Sequence, residues 1–276
     1  MTQYGDLFDG AEGKGDIFVR GVPDGSRIII TSDQQIPFQD DALLDVIYGQ
    51  FSRDFRPRTP SAQYYHAIAG DCLDLFGLSK FPAHVTPRGY RVGVEVEMLK
   101  ERLARWSKRF DHNYYIFGNH EFRWEKEMYE GRLSQYTRRL HEVLELEALG
   151  YDWVPYGRHV DFEGFIITHG NSTALHAAKV ELTNYQSSGV SGHTNRPQDY
   201  TTASASNGEP STWYSLGMTC RNDIGSVIKV WSQTQRWQQC FGIGQVQNGV
   251  LYFNSVRVHH GGFWANGKFY PVAPGA

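Results

Sequence analysis

Short apolar runs that stop at glycine or polar turns fill the first two-thirds of the chain, alternating with segments whose apolar positions recur at helical spacing. Arg27-Ile28-Ile29-Ile30-Thr31 is a β-branched run typical of a buried strand, and it ends at Ser32-Asp33-Gln34-Gln35. From Asp40 to about Phe51, Leu43, Leu44 and Ile47 share one face and predict a helix. Tyr65–Ala69 predicts a second strand running into Gly70-Asp71-Cys72-Leu73-Asp74, and Gly77–Gly93 a loop broken by Pro82 and Pro87. Leu99, Leu103, Trp106 and Phe110 then mark one face of a helix. A third strand, Tyr114–Phe117, delivers Gly118-Asn119-His120-Glu121 as a turn. Leu133, Tyr136, Leu140 and Leu144 align on a long helix ending near Gly150. Gly164–Thr168 is a fourth strand ahead of His169-Gly170. After a helix near Ala174–Val180, a short strand leads into Gly192-His193-Thr194-Asn195.

The last third changes period. Thr201–Ser211 reads as a polar loop of small residues. From Trp213 onward, Val, Phe, Tyr, Trp and Gly with a hairpin signal at Gln247-Asn248-Gly249 predict antiparallel β structure. Strand–helix alternation followed by β-rich sequence predicts an α/β layered core. The expected organisation is an N-terminal arm over 1–26 and a single domain over 27–276 with a β-rich C-terminal part.

Composition narrows this picture only a little. Hydrophobic residues at 40% supply a core and argue against a disordered chain. A formal charge of −3 gives no overall basic footprint for nucleic acid, although bound cations would add local positive charge that the count ignores. Cys72, Cys220 and Cys240 are odd in number and form no Cys-x-x-Cys pair, so they read as buried free thiols in a reducing compartment. The N-terminus has no basic stretch followed by an apolar run, and no apolar stretch is long enough to span a bilayer. A cytoplasmic protein is expected, with no membrane partner.

Asp33, Asp71, Asn119, His169 and His193 each fall where a separate predicted strand ends, four of them beside a glycine. That edge of a layered α/β fold is where loops converge on ligands. Mixed Asp, Asn and His donors suit divalent cations such as Mn²⁺, Mg²⁺, Fe²⁺ or Zn²⁺.

These motifs resemble the ordered set of calcineurin-like metallophosphoesterases, over about Arg27–Pro197. Trp213, Gly217 and the Trp237–Gly242 block resemble the tail of phage-encoded members. The resemblance implies an αββα sandwich of two mixed β-sheets flanked by helices, and two divalent metal ions bridged by Asp71. Asn119, His169 and His193 would complete one position; Asp33, Gln35 and Asn195 would complete the other. Asp74 and Glu121 would support the ligands from behind. The family usually carries histidine where this chain has Gln35 and Asn195. Two amides at one position offer hard oxygen, which favours Mn²⁺ or Mg²⁺ over Zn²⁺ or Fe²⁺ there.

The implied reaction is phosphodiester hydrolysis of nucleic acid or nucleotides in the cytoplasm, with water activated by the ions. His120 would act as general acid, or stabilise charge on the leaving oxygen. Arg123 and Arg196 are candidate phosphate contacts. A phosphomonoesterase, including a protein phosphatase, shares these motifs. A catalytically silent metal-binding module is the reading the two amides keep open.

Overall fold

The computed structural model describes residues 14–79, 91–130, 138–203, 209–223 and 237–273. Within them the strands are β1 (Ile17–Val19), β2 (Arg27–Thr31), β3 (Tyr64–Ala69), β4 (His112–Ile116), β5 (Tyr151–Val154), β6 (His159–Phe162) and β7 (Phe165–Thr168). They continue with β8 (Gly189–Ser191), β9 (Gln198–Ala203), β10 (Pro210–Ser215), β11 (Cys240–Gln247), β12 (Val250–Arg257), β13 (Gly262–Ala265) and β14 (Lys268–Pro271). One mixed sheet has the order β12-β11-β2-β3-β4-β5 and a second has β1-β6-β7-β8-β10-β9, with β13 and β14 as a separate hairpin.

Strand β2 shows why the sheets stack. Period-two alternation sends Ile29 to one face and Ile28 and Ile30 to the other. Ile29 packs with Leu43, Leu44, Ile47, Leu99, Leu103 and Trp106 from the helices. Ile28 and Ile30 meet Val160, Phe162, Ile167 and Val190 of the second sheet. Beyond that sheet, Ile166 and Trp213 cover Ala178 and Leu182 of the helix Ala177–Tyr185. Helix, sheet, sheet and helix thus form the expected αββα sandwich, with apolar cores filling the gaps between layers.

Several local expectations need correction. Gly118-Asn119-His120-Glu121 is not a free turn: Asn119 opens the helix Asn119–Tyr129, and the Glu121 side chain accepts from the Gly118 amide at 2.9 Å. That is the carboxylate half of a capping box, which satisfies an amide that the helix start leaves unbonded. The segment read as a loop over Thr201–Ser211 instead contributes to antiparallel strands β9 and β10 on either side of residues outside the description. Strand β9 is exposed along most of its length, so it carried no apolar signal. The helix read after Asp40 begins as α-helix over Asp41–Asp45 and continues as π-helix over Val46–Phe51. Of the helix read through Leu133–Leu144, Leu133 and Tyr136 lie outside the described residues, the short helix Leu140–Val143 holds Leu140, and Leu144 caps its C-terminal end. Most of the loop read over Gly77–Gly93 likewise lies outside the description, and a helix begins at Val92.

Candidate metal centre

The candidate residues follow the carboxyl ends of parallel strands. Asp33 and Gln35 follow β2, Asp71 follows β3, Asn119 follows β4, His169 follows β7, and His193 and Asn195 follow β8. Backbone hydrogen bonds lace the first two turns together: Asp33 N donates to Gly70 O at 3.0 Å and Gln35 N to Asp71 O at 3.0 Å. Asp33, Gln35, Asp71, His193 and Asn195 all hold positive φ, between 49° and 73°. Non-glycine residues in that region cost about 1–2 kcal/mol each and persist where surrounding contacts determine them. Close approach also explains two glycines. A Cβ on Gly118 would strike the Asp71 carboxylate, and one on Gly192 would strike Ser32 and Asp33.

The centre has a histidine-rich side. Asp71, His169 and His193 each offer a ligand atom within 4.8 Å of the others. His169 Nε2 lies 3.3 Å from Asp71 Oδ2 and 3.0 Å from Asn119 Oδ1, while its Nδ1 is 2.8 Å from the Ala69 carbonyl. Burial opposes charge on His169, but Asp71 and Asp33 together hold its pKa up at about 10. Burial also opposes charge on Asp71, and the surrounding His120, His169 and His193 keep its carboxyl well below the usual range. Burial lowers His193 to about 4.

The other side is amide-rich. Asp33 is fully buried and Asn195 only 5% exposed, yet Asp33 Oδ1 and Asn195 Oδ1 have no hydrogen-bond partner. Asp33 Oδ2 accepts from the Ser32 hydroxyl and from His193 N at 3.0 Å. Burial pushes the Asp33 carboxyl up to about 7. Buried acceptors left unpaired are costly, and a cation would satisfy them. The donor set of Asp71, His169 and His193, with the orphaned oxygens of Asp33 and Asn195, therefore fits a divalent cation.

Behind Asp71 sits Glu121, fully buried, whose carboxylate accepts five hydrogen bonds. Oε2 takes Asp71 N at 3.0 Å and Gly118 N at 2.9 Å; Oε1 takes Cys72 N at 2.8 Å, Leu73 N at 3.1 Å and the Tyr115 hydroxyl at 2.9 Å. Burial raises its pKa and the Asp71 charge adds to that, while the backbone amides oppose it. His120 Nε2 lies 3.5 Å from Asp71 Oδ2 and Nδ1 lies 3.7 Å from Asp74 Oδ1. Burial lowers His120 to about 4, so the ring is neutral near pH 7.

The two arginines point their bonds elsewhere. Arg123 Nη1 donates to Asp74 O at 2.7 Å, and Arg196 Nη2 donates to Thr173 O at 3.2 Å and Ala174 O at 2.9 Å. Both tie down loops around the centre. Residues the sequence did not single out also shape it. Glu181 accepts from Asn171 N at 2.8 Å and Ser172 N at 2.9 Å, fixing the turn after His169. Cys220, read only as a buried thiol, lies with its Sγ 3.8 Å from Gln35 Oε1. Neither has a spacing motif by which to find it.

The sequence profile of calcineurin-like phosphoesterases matches residues 26–216. The chain belongs to the calcineurin-like phosphoesterase family. In general terms it is therefore a metal-dependent phosphoesterase of the two-sheet fold. No curated protein matches the chain. Among solved structures, wild-type Vps29 from Entamoeba histolytica complexed with Zn²⁺ is 9% identical, covering 86% of this chain and 96% of that one at a TM-score of 0.43. A single mutant of the same protein is 8% identical, covering 88% and 96% at a TM-score of 0.42. Among the described residues no helix is long and apolar enough to cross a membrane.

Proposed function

We propose that this phosphoesterase hydrolyses phosphodiester bonds, in nucleic acid or nucleotides, at a centre where Asp71 would be a ligand common to two divalent ions. The observation that carries the reading is the convergence of Asp71, His169 and His193, with unpartnered buried oxygens of Asp33 and Asn195 beside them. Asn119, His169 and His193 would hold one ion, and Asp33, Gln35 and Asn195 the other. Bound ions supply a water of lowered pKa and positive charge for the phosphoryl oxygens.

The chain's own residues do the rest. His120 would face the leaving oxygen: as water adds to phosphorus and the ester P–O bond breaks, an N–H of its neutral ring would hydrogen-bond to that oxygen and stabilise the charge developing on it. Its place between Asp71 and Asp74 supports this, because the two carboxylates flank the ring and orient it. Glu121 would keep the Asp71 backbone in its left-handed turn. Arg123 and Arg196, bonded to backbone carbonyls, would shape the walls around a bound phosphate. A reducing, cytoplasmic setting is supported by three free buried cysteines. Phage origin rests on the resemblance of Trp213, Gly217 and the tail block Trp237–Gly242.

The test is hydrolysis of an aryl phosphodiester and an aryl phosphomonoester by metal-free protein reloaded with Mn²⁺, Mg²⁺ or Zn²⁺. Faster turnover of the diester is expected, with His120→Ala slowing it by about 10²-fold or more. Preference for the monoester would replace the diesterase reading. Absence of turnover with every ion would leave a metal-binding module, the reading that Gln35 and Asn195 keep open.

A further inference from the structure

The amide-rich side of the centre has a neighbour of different chemistry. Residues Leu216–Cys220 run alongside the turn that carries Asp33 and Gln35. Thr219 N donates to Ser32 O at 3.1 Å and Asp33 O at 3.2 Å, Asp40 N donates to Thr219 O at 3.1 Å, and Cys220 bridges Gln39. The segment is held from behind as well: Met218 N donates to Gln238 O and Cys240 N to Met218 O, both at 3.0 Å. Pinned on both sides, Cys220 is fully buried, with its Sγ 3.8 Å from Gln35 Oε1 and 3.2 Å from Met218 Sδ.

A separation of 3.8 Å is long for a thiol hydrogen bond but suits two ligands of one ion. An ion about 2.3 Å from a thiolate and about 2.1 Å from an oxygen, at a tetrahedral angle, sets those atoms about 3.6 Å apart. Independently, Asp33 Oδ1 and Asn195 Oδ1 are buried and unpartnered, and the backbones of both residues bond to this segment or the strand behind it, Thr219 N to Asp33 O at 3.2 Å and Gln238 N to Asn195 O at 3.0 Å. We propose that Cys220 is a thiolate ligand of the amide-rich position, beside Asp33, Gln35 and Asn195.

This rests on the metallophosphoesterase reading and deepens it. On binding, the Cys220 S–H bond breaks, its proton leaves to solvent, and the sulfur electron pair is given to the ion. One soft donor among hard oxygens selects a borderline ion such as Zn²⁺ or Co²⁺. The hard-ion preference expected from Gln35 and Asn195 counted the amides alone.

The experiment loads metal-free full-length protein with Co²⁺ and follows its absorption spectrum. Two ions are expected per chain, with a sulfur-to-cobalt charge-transfer band in the near ultraviolet that appears only as the second ion binds. Cys220→Ser should remove that band and weaken the second ion by at least about tenfold, leaving the visible bands of the first unchanged. Cys72→Ser, whose thiol bonds Gln34 Oε1 at 3.2 Å, should keep the band. Cobalt bound to wild-type protein without a near-ultraviolet band, or a band that survives in Cys220→Ser, overturns the proposal while leaving the metal centre in place. Cobalt bound at neither position overturns the centre and this proposal together. The wild-type spectrum decides even if a variant fails to fold.

Discussion

Replacing Glu121 with Gln keeps the side chain's shape and removes its ability to accept on both sides. Three donors meet Oε1 and two meet Oε2, so the better orientation leaves the amide oxygen with Cys72 N, Leu73 N and Tyr115 Oη. The new NH₂ group then faces Asp71 N and Gly118 N, which belong to buried residues and have no other acceptor among their hydrogen bonds. Each buried donor left unpaired costs about 1–3 kcal/mol, giving about 2–6 kcal/mol gross. Removing a buried charge offsets part of this, so we expect a net loss of about 2–4 kcal/mol, a large share of ordinary domain stability. The assay is urea unfolding of metal-free Glu121→Gln, which should show a lower midpoint at an unchanged slope. Because the amides released belong to Asp71 and Gly118, affinity for the first cobalt ion should fall by about tenfold or more. A variant within about 0.5 kcal/mol of wild type, binding cobalt as tightly, would refute the claim that this carboxylate holds the two turns together.

Two further outcomes follow from the same packing. Gly192→Ala would drive a Cβ into Ser32 and to 2.9 Å from Ala69 O; a loss of about 1–3 kcal/mol and weaker metal binding are expected in calorimetry, and unchanged binding would show that Asp33 has room to move. His66 is fully buried, with Nε2 2.8 Å from the Tyr48 hydroxyl, and burial lowers its pKa to about 3. The unfolded chain binds the His66 proton at higher pH than the folded one. The stabilisation is therefore complete above about pH 6.5 and is lost at about 1.4 kcal/mol per pH unit as pH falls toward 3. An NMR titration placing His66 near its ordinary value would contradict this.

Much of the layered core was legible because its strands are short and strongly apolar. Ile28, Ile29 and Ile30 face two different cores and need no polar alternation, which made β2 plain. The turns that end β2, β3, β4, β7 and β8 were legible through their polar residues and glycines. Strands with one wet face were not: β6 alternates half-buried His159 and Asp161 with buried Val160 and Phe162 over only four residues. Strand β1 is shorter still and owes its place to pairing with β6. At the centre, the ligand candidates carried a motif, whereas Glu181 and Cys220 reach it through tertiary folding alone. Helix periodicity located the apolar face of Val92–Trp106 but said nothing of Glu95, whose carboxylate takes the Leu75 amide at 2.7 Å.

Strand β11 pairs with β2 in register from Gly242↔Ile30 to Gln245↔Arg27, and Gln238 N donates to Asn195 O at 3.0 Å. During synthesis the ribosome releases β2 more than two hundred residues before its neighbour emerges, so an open edge waits on the nascent chain. Asn195 likewise stays unbraced until Gln238 clears the exit tunnel. Assembly of the turns that carry the candidate ligands is in this way deferred to the last stretch of translation, and a ribosome stalled before residue 238 would carry a chain lacking this brace on Asn195.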